Sequence, residues 1–451
     1  MVEEVQINEL LSLIQLEKRT EVAAALDEMA VQDIAEAMAH LPVEEQRELY
    51  RALPDDRQVD TFSYLGQGSQ NELLDALSDR EARRVLHEML PDDRTAFLEN
   101  LRKEDLETRL KLLGPADLKQ SLKLLGYPDE SVGRLMTPHF VAIRPHWTIA
   151  RSLDHIRHEA HRGETVHFVF VTDERGHLLD SVRLRDLVLA RQDAKVDTVM
   201  DGEFQSVQAS ADREEAVHAI QHYDINTLAV TDKNGVMLGI VTVDDIMDVA
   251  EMETTEDFHK LGGSTAVNMS LREAHPFLLY RARVGWLLIL VFMNLFGGAA
   301  IQHFEATIEA VVILVVFLPL LIGSGGNAGA QATTLMVRAL ATGDVQARDW
   351  LGLWGKEFVV ALALGLSMAL AVSTIGYYRG GPDIAMIVGF AMVSVVVFGS
   401  MLGMLLPFIL ARFKLDPATA SAPLVTSLAD IGGIVIYFTI ANMILTMPAA
   451  V

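Results

Sequence analysis

The stretch 417–451, PATASAPLVTSLADIGGIVIYFTIANMILTMPAAV, carries one charged side chain, Asp430, in 35 residues. A helix that crosses the hydrocarbon of a bilayer needs about 20 mainly apolar residues. Four further uncharged stretches have comparable length: 284–302, 310–337, 358–378 and 384–411. A buried core helix could explain one such run, but not five in succession. The sequence therefore predicts an all-α membrane domain of five transmembrane helices. Basic residues near span ends mark the cytosolic side. With the N-terminus inside, the inner flanks hold Arg281, Arg283, Arg338, Arg348, Lys356, Arg412 and Lys414, and the outer flanks hold Arg379. This bias predicts a cytosolic N-terminus and an outer C-terminus.

Asp430 is the residue that points to chemistry. It lies about midway along the last span, where a charge costs several kcal/mol unless it meets water or a partner. No lysine or arginine lies mid-span to neutralise it. A protonated structural aspartate is one reading; a cation site on a permeation path is the other. One carboxylate is thin coordination for a divalent ion, and two copies about a dimer axis would supply two charges. Magnesium sheds water reluctantly and binds through one or two carboxylates with waters retained. Asp416, near the start of the same span, is a second candidate ion contact or a helix-start residue before Pro417. The run GSGGNAGAQ over 323–331, with Asn327 and Gln331, predicts either close packing or a local unwinding that exposes carbonyls to a pore.

The rest of the chain has the opposite character. From residue 281 onward there are 8 basic and 8 acidic residues, whereas the first 280 residues hold 29 basic and 53 acidic, the whole net charge of -24. Such a surface repels nucleic acid and attracts cations. There is no cysteine, which excludes disulfides, thiolate metal sites and cysteine nucleophiles. The first residues, MVEEVQINELL, lack an apolar signal core, so the acidic half is expected in the cytosol.

Residues 135–250 contain an internal repeat. LMTP at 135–138 recurs as VMDG at 199–202, FVFVTD at 168–173 as LAVTD at 228–232, and LRDL at 184–187 as VDDI at 243–246. The offset falls from 64 to 59, which predicts a five-residue insertion in the first copy near 157–165. Each copy reads strand, helix, strand, turn, strand, helix. Residues 1–125 read all-helical, with Leu41, Leu53, Leu65 and Leu77 every 12 residues, then Leu90. Acids after Pro54 and Pro91 suit helix N-termini, and short helices stacked in a superhelix are expected. Between the halves, DDIMDVAEMETTEDFHK at 244–260 has no glycine or proline and seven acids. It predicts one long helix with a partial apolar face of Ile246, Val249, Ala250 and Met252. Its carboxylates repel one another, and divalent cations bridging neighbouring elements would relieve this.

The repeat resembles a tandem pair of α/β CBS domains, modules that often bind adenosine nucleotides. In the second copy Thr242 and Asp245 occupy the nucleotide-contact pattern. The first copy departs from it, with Asp180 for the glycine and Arg183 for the serine or threonine. The whole order resembles the MgtE family: an acidic helical N domain (1–130), tandem CBS domains (131–250), an acidic connecting or plug helix (244–266) and a pore domain (270–451). GGNAGAQ at 325–331, Pro423-Leu424-Val425 leading to Asp430, and TEDFHKLG at 255–262 carry the likeness. The resemblance implies a homodimeric magnesium channel in the cytoplasmic (inner) membrane, closed by cytosolic Mg2+, with ATP as a candidate ligand of the CBS pair. It implies Asp430, with Asn327 and Asp416, as pore contacts. It implies Asp92, Asp245, Asp248, Glu253, Glu256 and Asp257 as regulatory metal contacts. Ala96 and Ala330 stand where some relatives have an acid and an amide. A transporter coupled to protons or sodium is the competing reading. The sequence contains no P-loop, metal-binding His pair or Gly-x-Ser-x-Gly element, so no enzyme is expected.

Overall fold

The computed structural model describes residues 19–159, 165–265 and 274–445. The expectations that fall on 1–18, on most of the insertion near 157–165, on the junction 266–273 and on 446–451 lie outside the described residues. By contact the chain divides into two units, 1–250 and 251–451.

In the first unit, nine short helices come first among the described residues. They are α1 Arg19–Asp27, α2 Val31–Ala39, α3 Val43–Ala52, α4 Asp55–Ser63, α5 Gln67–Ala76, α6 Asp79–Glu88, α7 Pro91–Glu99, α8 Lys103–Leu110 and α9 Pro115–Leu124. Acids fill the first turns of α3, α4 and α7 directly after or at their prolines, where the helix dipole favours negative charge. Next-but-one helices pack together, α1 on α3, α2 on α4, α3 on α5 and α4 on α6. The 12-residue period is longer than the leucines indicate. Leu41, Leu53, Leu65 and Leu77 are buried, but the next core position is Met89; Leu90 is 41% exposed. The same period places Met29, Leu101, Leu113 and Leu125 against this core. Leu90 broke the spacing by one residue, and the structure restores it with methionine.

After α10 (Val132–Leu135), two three-stranded sheets follow. The first is β1 Ala142–Ile143, β2 Phe168–Thr172 and β3 Leu178–Arg183, and the second is β4 Ser206–Gln208, β5 Thr227–Thr231 and β6 Met237–Thr242. In each, the first pair is parallel and the second antiparallel. Helices α11 (Ile149–Glu159) and α13 (Arg213–Tyr223) fill the crossovers. Ala142 faces Phe170 and Ser206 faces Ala229, which reproduces offsets of 64 and 59. The turns need left-handed glycines, Gly176 (φ 85°) and Gly235 (φ 82°). These turns bond one another, Met237 N to Gly176 O and Leu178 N to Gly235 O at 3.0 Å each. Asp180 has a structural use: its buried carboxylate accepts the amides of Asp201 (3.0 Å) and Gly202 (3.1 Å). β3 leads into α12 (Leu184–Leu189), and β6 leads into α14 (Val243–Leu261). The long acidic connecting helix is present as expected. Ile246 and Val249 form its buried face, while Met252 is exposed.

In the second unit, α15 (Pro276–His303), α16 (Glu305–Ala310), α17 (Ile313–Ala341), α18 (Trp350–Arg412) and α19 (Ala422–Ile444) follow α14. Four of these are long and apolar enough to cross a membrane, against the five expected. The difference lies in α18, 63 residues long, whose backbone breaks at Gly381 (φ 82°, ψ -170°). Beyond it the chain folds back: a Cβ on Gly376 would lie 3.1 Å from the Cα of Ala385, and one on Gly365 3.0 Å from the Cα of Val393. The 323–331 run does not unwind. It lies inside continuous α17, where Gly325 and Gly329 pack against the backbones of Gly399 and Gly403. Absent side chains let two helix backbones touch, so packing accounts for these glycines.

Candidate functional site

Helix α19 starts at Ala422, capped by Ser421 with Pro423 in its first turn, so Asp430 falls two turns inside it. Pro423, Thr426, Ser427 and Asp430 recur at helical spacing on one face. With Leu287, Leu290, Val291 and Asn294 of α15 they line a groove of about 690 Å³. The Oδ1 atom of Asp430 is buried and accepts no hydrogen bond from the described residues. It lies against α17, where a Cβ on Gly326 would sit 3.3 Å from it. A carboxylate in such a place requires a cation, a proton or water. Asn327, the residue after Gly326, is exposed in the single chain and does not line the groove.

Asp416 is engaged twice. Its Oδ1 accepts the Ala418 amide at 2.8 Å, capping the turn Pro417–Thr419, and its Oδ2 accepts Lys260 Nζ at 2.6 Å. Lys260 also reaches Glu256 at 2.5 Å. Burial opposes the Lys260 charge, but these two carboxylates outweigh it and hold the ammonium above its usual range. Burial, and then the charge of Asp416, push Asp257 up to about 6, with Lys260 opposing. The last turns of α14 therefore meet the entrance of α19 through three carboxylates and one ammonium. The sequence reading missed Lys260.

A second acidic group lies in the first unit. Asp93 is raised by burial and by Asp244, Asp60 and Asp248, against the opposing hydrogen bond of Ser63. Asp92, the candidate from the sequence, is buried next in the chain; consecutive helical residues point about 100° apart. Asp93 and Asp60 are thus the neighbours of Asp248 that the sequence reading did not single out. Asp245 accepts Thr242 Oγ1 at 2.9 Å at the start of α14, a helix-start contact. Two cavities open in the CBS-like region, one of about 530 Å³ with His167, Arg183, Arg185 and Asn226, the other of about 250 Å³ with Ser181, Asp186, Asp201 and Phe204. Thr242 and Asp245 line neither. Glu357, near the start of α18, hydrogen-bonds to Ser400; with Asp383 of the same helix it adds to Asp430 among the carboxylates of the long apolar helices.

Long apolar helices with a groove that holds one carboxylate, in a chain that also carries an acidic module with two CBS-like sheets, define a multi-pass membrane protein of ion-transport type. Three family profiles match in order: the MgtE intracellular N domain at 29–130, CBS domains at 132–193 and 196–251, and the MgtE divalent cation transporter at 318–440. The magnesium transporter MgtE of Thermus thermophilus is 40% identical over 319 residues, 71% of each chain. That of Enterococcus faecalis is 31% identical over 70% of each. The chain belongs to the MgtE family of divalent cation transporters. Among solved structures, the cytosolic domain of the Mg2+ channel MgtE in complex with ATP superposes with a TM-score of 0.52 at 31% identity, covering 54% of this chain and 99% of that one. The soluble part of a magnesium transporter gives 0.51 at 28%, covering 55% and 98%.

Proposed function

We propose that the chain is a homodimeric magnesium channel of the cytoplasmic (inner) membrane, with its N-terminus in the cytosol and its C-terminus outside. In this reading the two limbs of α18 are separate spans, giving five, and the domain limits are 1–130, 131–250, 244–266 and 270–451. Asp430 carboxylates from two copies hold a hydrated Mg2+ on the two-fold axis, with Asn327 and Asp416 along the same path. The observation that carries this is the buried oxygen of Asp430, without a hydrogen-bond partner among the described residues, beside an open groove.

Closure follows from linkage. Mg2+ binds the arrangement that gathers Asp92, Asp93, Asp245 and Asp248, and that which gathers Glu253, Glu256 and Asp257, better than a splayed one. The ion then shifts the population towards the shut state. The CBS cavities fit an adenosine nucleotide such as ATP, with Asp186 and Arg183 nearer to them than Thr242 and Asp245.

The test is Mg2+ uptake into reconstituted vesicles with internal Mg2+ varied. Wild-type flux should fall as internal Mg2+ rises. Asp430→Ala should cut it by more than about tenfold, equivalent to roughly 1.4 kcal/mol of lost ion stabilisation; unaltered flux would refute the site. Glu357, bonded to Ser400 inside α18, favours a second reading, a transporter coupled to protons or sodium. Flux under imposed proton and sodium gradients separates the two.

A further inference from the structure

Asn294 is an amide deep within α15, the nineteenth of its 28 residues. Its exposed neighbours Phe292, Leu295 and Phe296 are apolar. Asn294 falls instead on the stripe Leu287, Leu290, Val291, Asn294 that walls the Asp430 groove. Three contacts fix its level. A Cβ on Gly297 would lie 3.7 Å from Ile434, Phe304 stacks on Phe438 with ring centroids 5.4 Å apart, and Thr307 Oγ1 donates to Asn442 Oδ1 at 2.5 Å. Each step along α15 and α16 is matched by a step along α19. The helices therefore run side by side in one direction, and residue 294 stands within about one turn of residue 430. The lower groove wall is apolar on the α15 side, so its polar end is the level shared by Asn294 and Asp430.

We propose that Asn294 is a second contact for the permeating ion, holding a water of its hydration shell across the groove from Asp430. The chemistry is complementary. Water bound to a divalent cation points its hydrogens outward, and an amide oxygen accepts one while adding no charge. Magnesium, which keeps its shell, gains from such an acceptor; an ion that sheds water gains less. Asn294 acts on affinity and selectivity, while Asp430 supplies the charge. This inference rests on Asp430 lying on the ion path.

Mg2+ titrations of vesicle flux test it with Asn294→Leu, Asn294→Ser and Asp430→Asn, each checked for oligomer size by light scattering. Asn294→Leu should raise the half-saturating Mg2+ roughly fivefold, the worth of one neutral hydrogen bond. It should also lower the ratio of Mg2+ to Ca2+ flux, and Asn294→Ser should recover part of both. A wild-type half-saturation and ratio in Asn294→Leu, with flux lost in Asp430→Asn, would overturn the role of Asn294 and leave the path standing. Normal flux in Asp430→Asn would overturn the path and this inference together. A changed oligomer size with unchanged half-saturation would make Asn294 a helix–helix contact and overturn the inference. If Asn294→Leu fails to assemble, Asn294→Ser decides: a wild-type titration in it overturns the inference.

Discussion

Asp430 and Glu81 show how differently one carboxylate is treated in the two halves of this chain. Asp430 has an oxygen enclosed beside Gly326 with no donor among the described residues. Glu81, on the surface of the helical domain, is bound by Arg51, with hydrogen bonds at 2.9 and 3.0 Å, and completes a capping box with Ser78. These contacts, Arg51 first, hold Glu81 down to about 2. Its folded pKa is depressed, so the stability it contributes is present above its ordinary range near 4.5 and is lost as pH falls towards 2. Glu81→Gln should remove that acid dependence, and Ser78→Ala should cost about 1 kcal/mol. Hydrogen exchange of α6 amides in the full-length protein, between neutral pH and roughly pH 3, reads both; wild-type exchange in Glu81→Gln at neutral pH would contradict it. At this scale the sequence was legible where a residue broke a pattern. Asp430 stood out because a span should carry no charge. Asn294 did not, since a neutral amide hardly disturbs a hydrophobic run. The choice between Asp92 and Asp93 turns on which side of α7 faces inward, which neighbouring acids in a sequence do not reveal.

Along α17 and α18 the glycines act as a set. Gly325 and Gly329 meet Gly399 and Gly403, and Thr333 Oγ1 donates to Gly403 O at 2.8 Å. A side chain at 403 would enter the Gly329 carbonyl, which is backbone and cannot swing away. Gly403→Leu should therefore destabilise the membrane half by several kcal/mol, as overpacking does at its upper range, and lower the melting temperature of the detergent-solubilised protein; a melt within a degree or so of wild type would contradict the contact. The element pattern was largely readable in advance. Runs of apolar residues gave the long apolar helices, offsets of 64 and 59 gave the paired sheets, and the absence of glycine and proline gave α14. What stayed open was the meaning of glycine. Packing and unwinding ask for the same residue, and only the position of the facing helix separates them. Leu90 misled for a related reason, because a leucine one place out of register resembles a repeat that the methionine at 89 completes.

Over the whole molecule the charge is segregated, with the net charge of -24 confined to the first 280 residues. In the proposed mechanism helix α14 is the covalent link from the acidic half to the ion path, and its last turns carry Glu253, Glu256 and Asp257. Neutralising the three together as Gln, Gln and Asn should leave flux high at an internal Mg2+ that shuts the wild type. Retained inhibition, measured in the same vesicles, would remove these residues from the sensor. The composition split made the division into an acidic half and a half of long apolar helices legible from the sequence. Which carboxylates collaborate was not, because Lys260 and Asp416 are 156 residues apart and only the fold brings them to 2.6 Å. The reversal at Gly381 has a bearing on how such a chain is made. Two apolar limbs joined only by the short turn at 379–383, with Arg379 and Asp383 as its charges, have little chain by which to enter the bilayer one at a time. They must leave the insertion machinery as a preformed hairpin, so a lesion at this one glycine should strike biogenesis before it touches conduction.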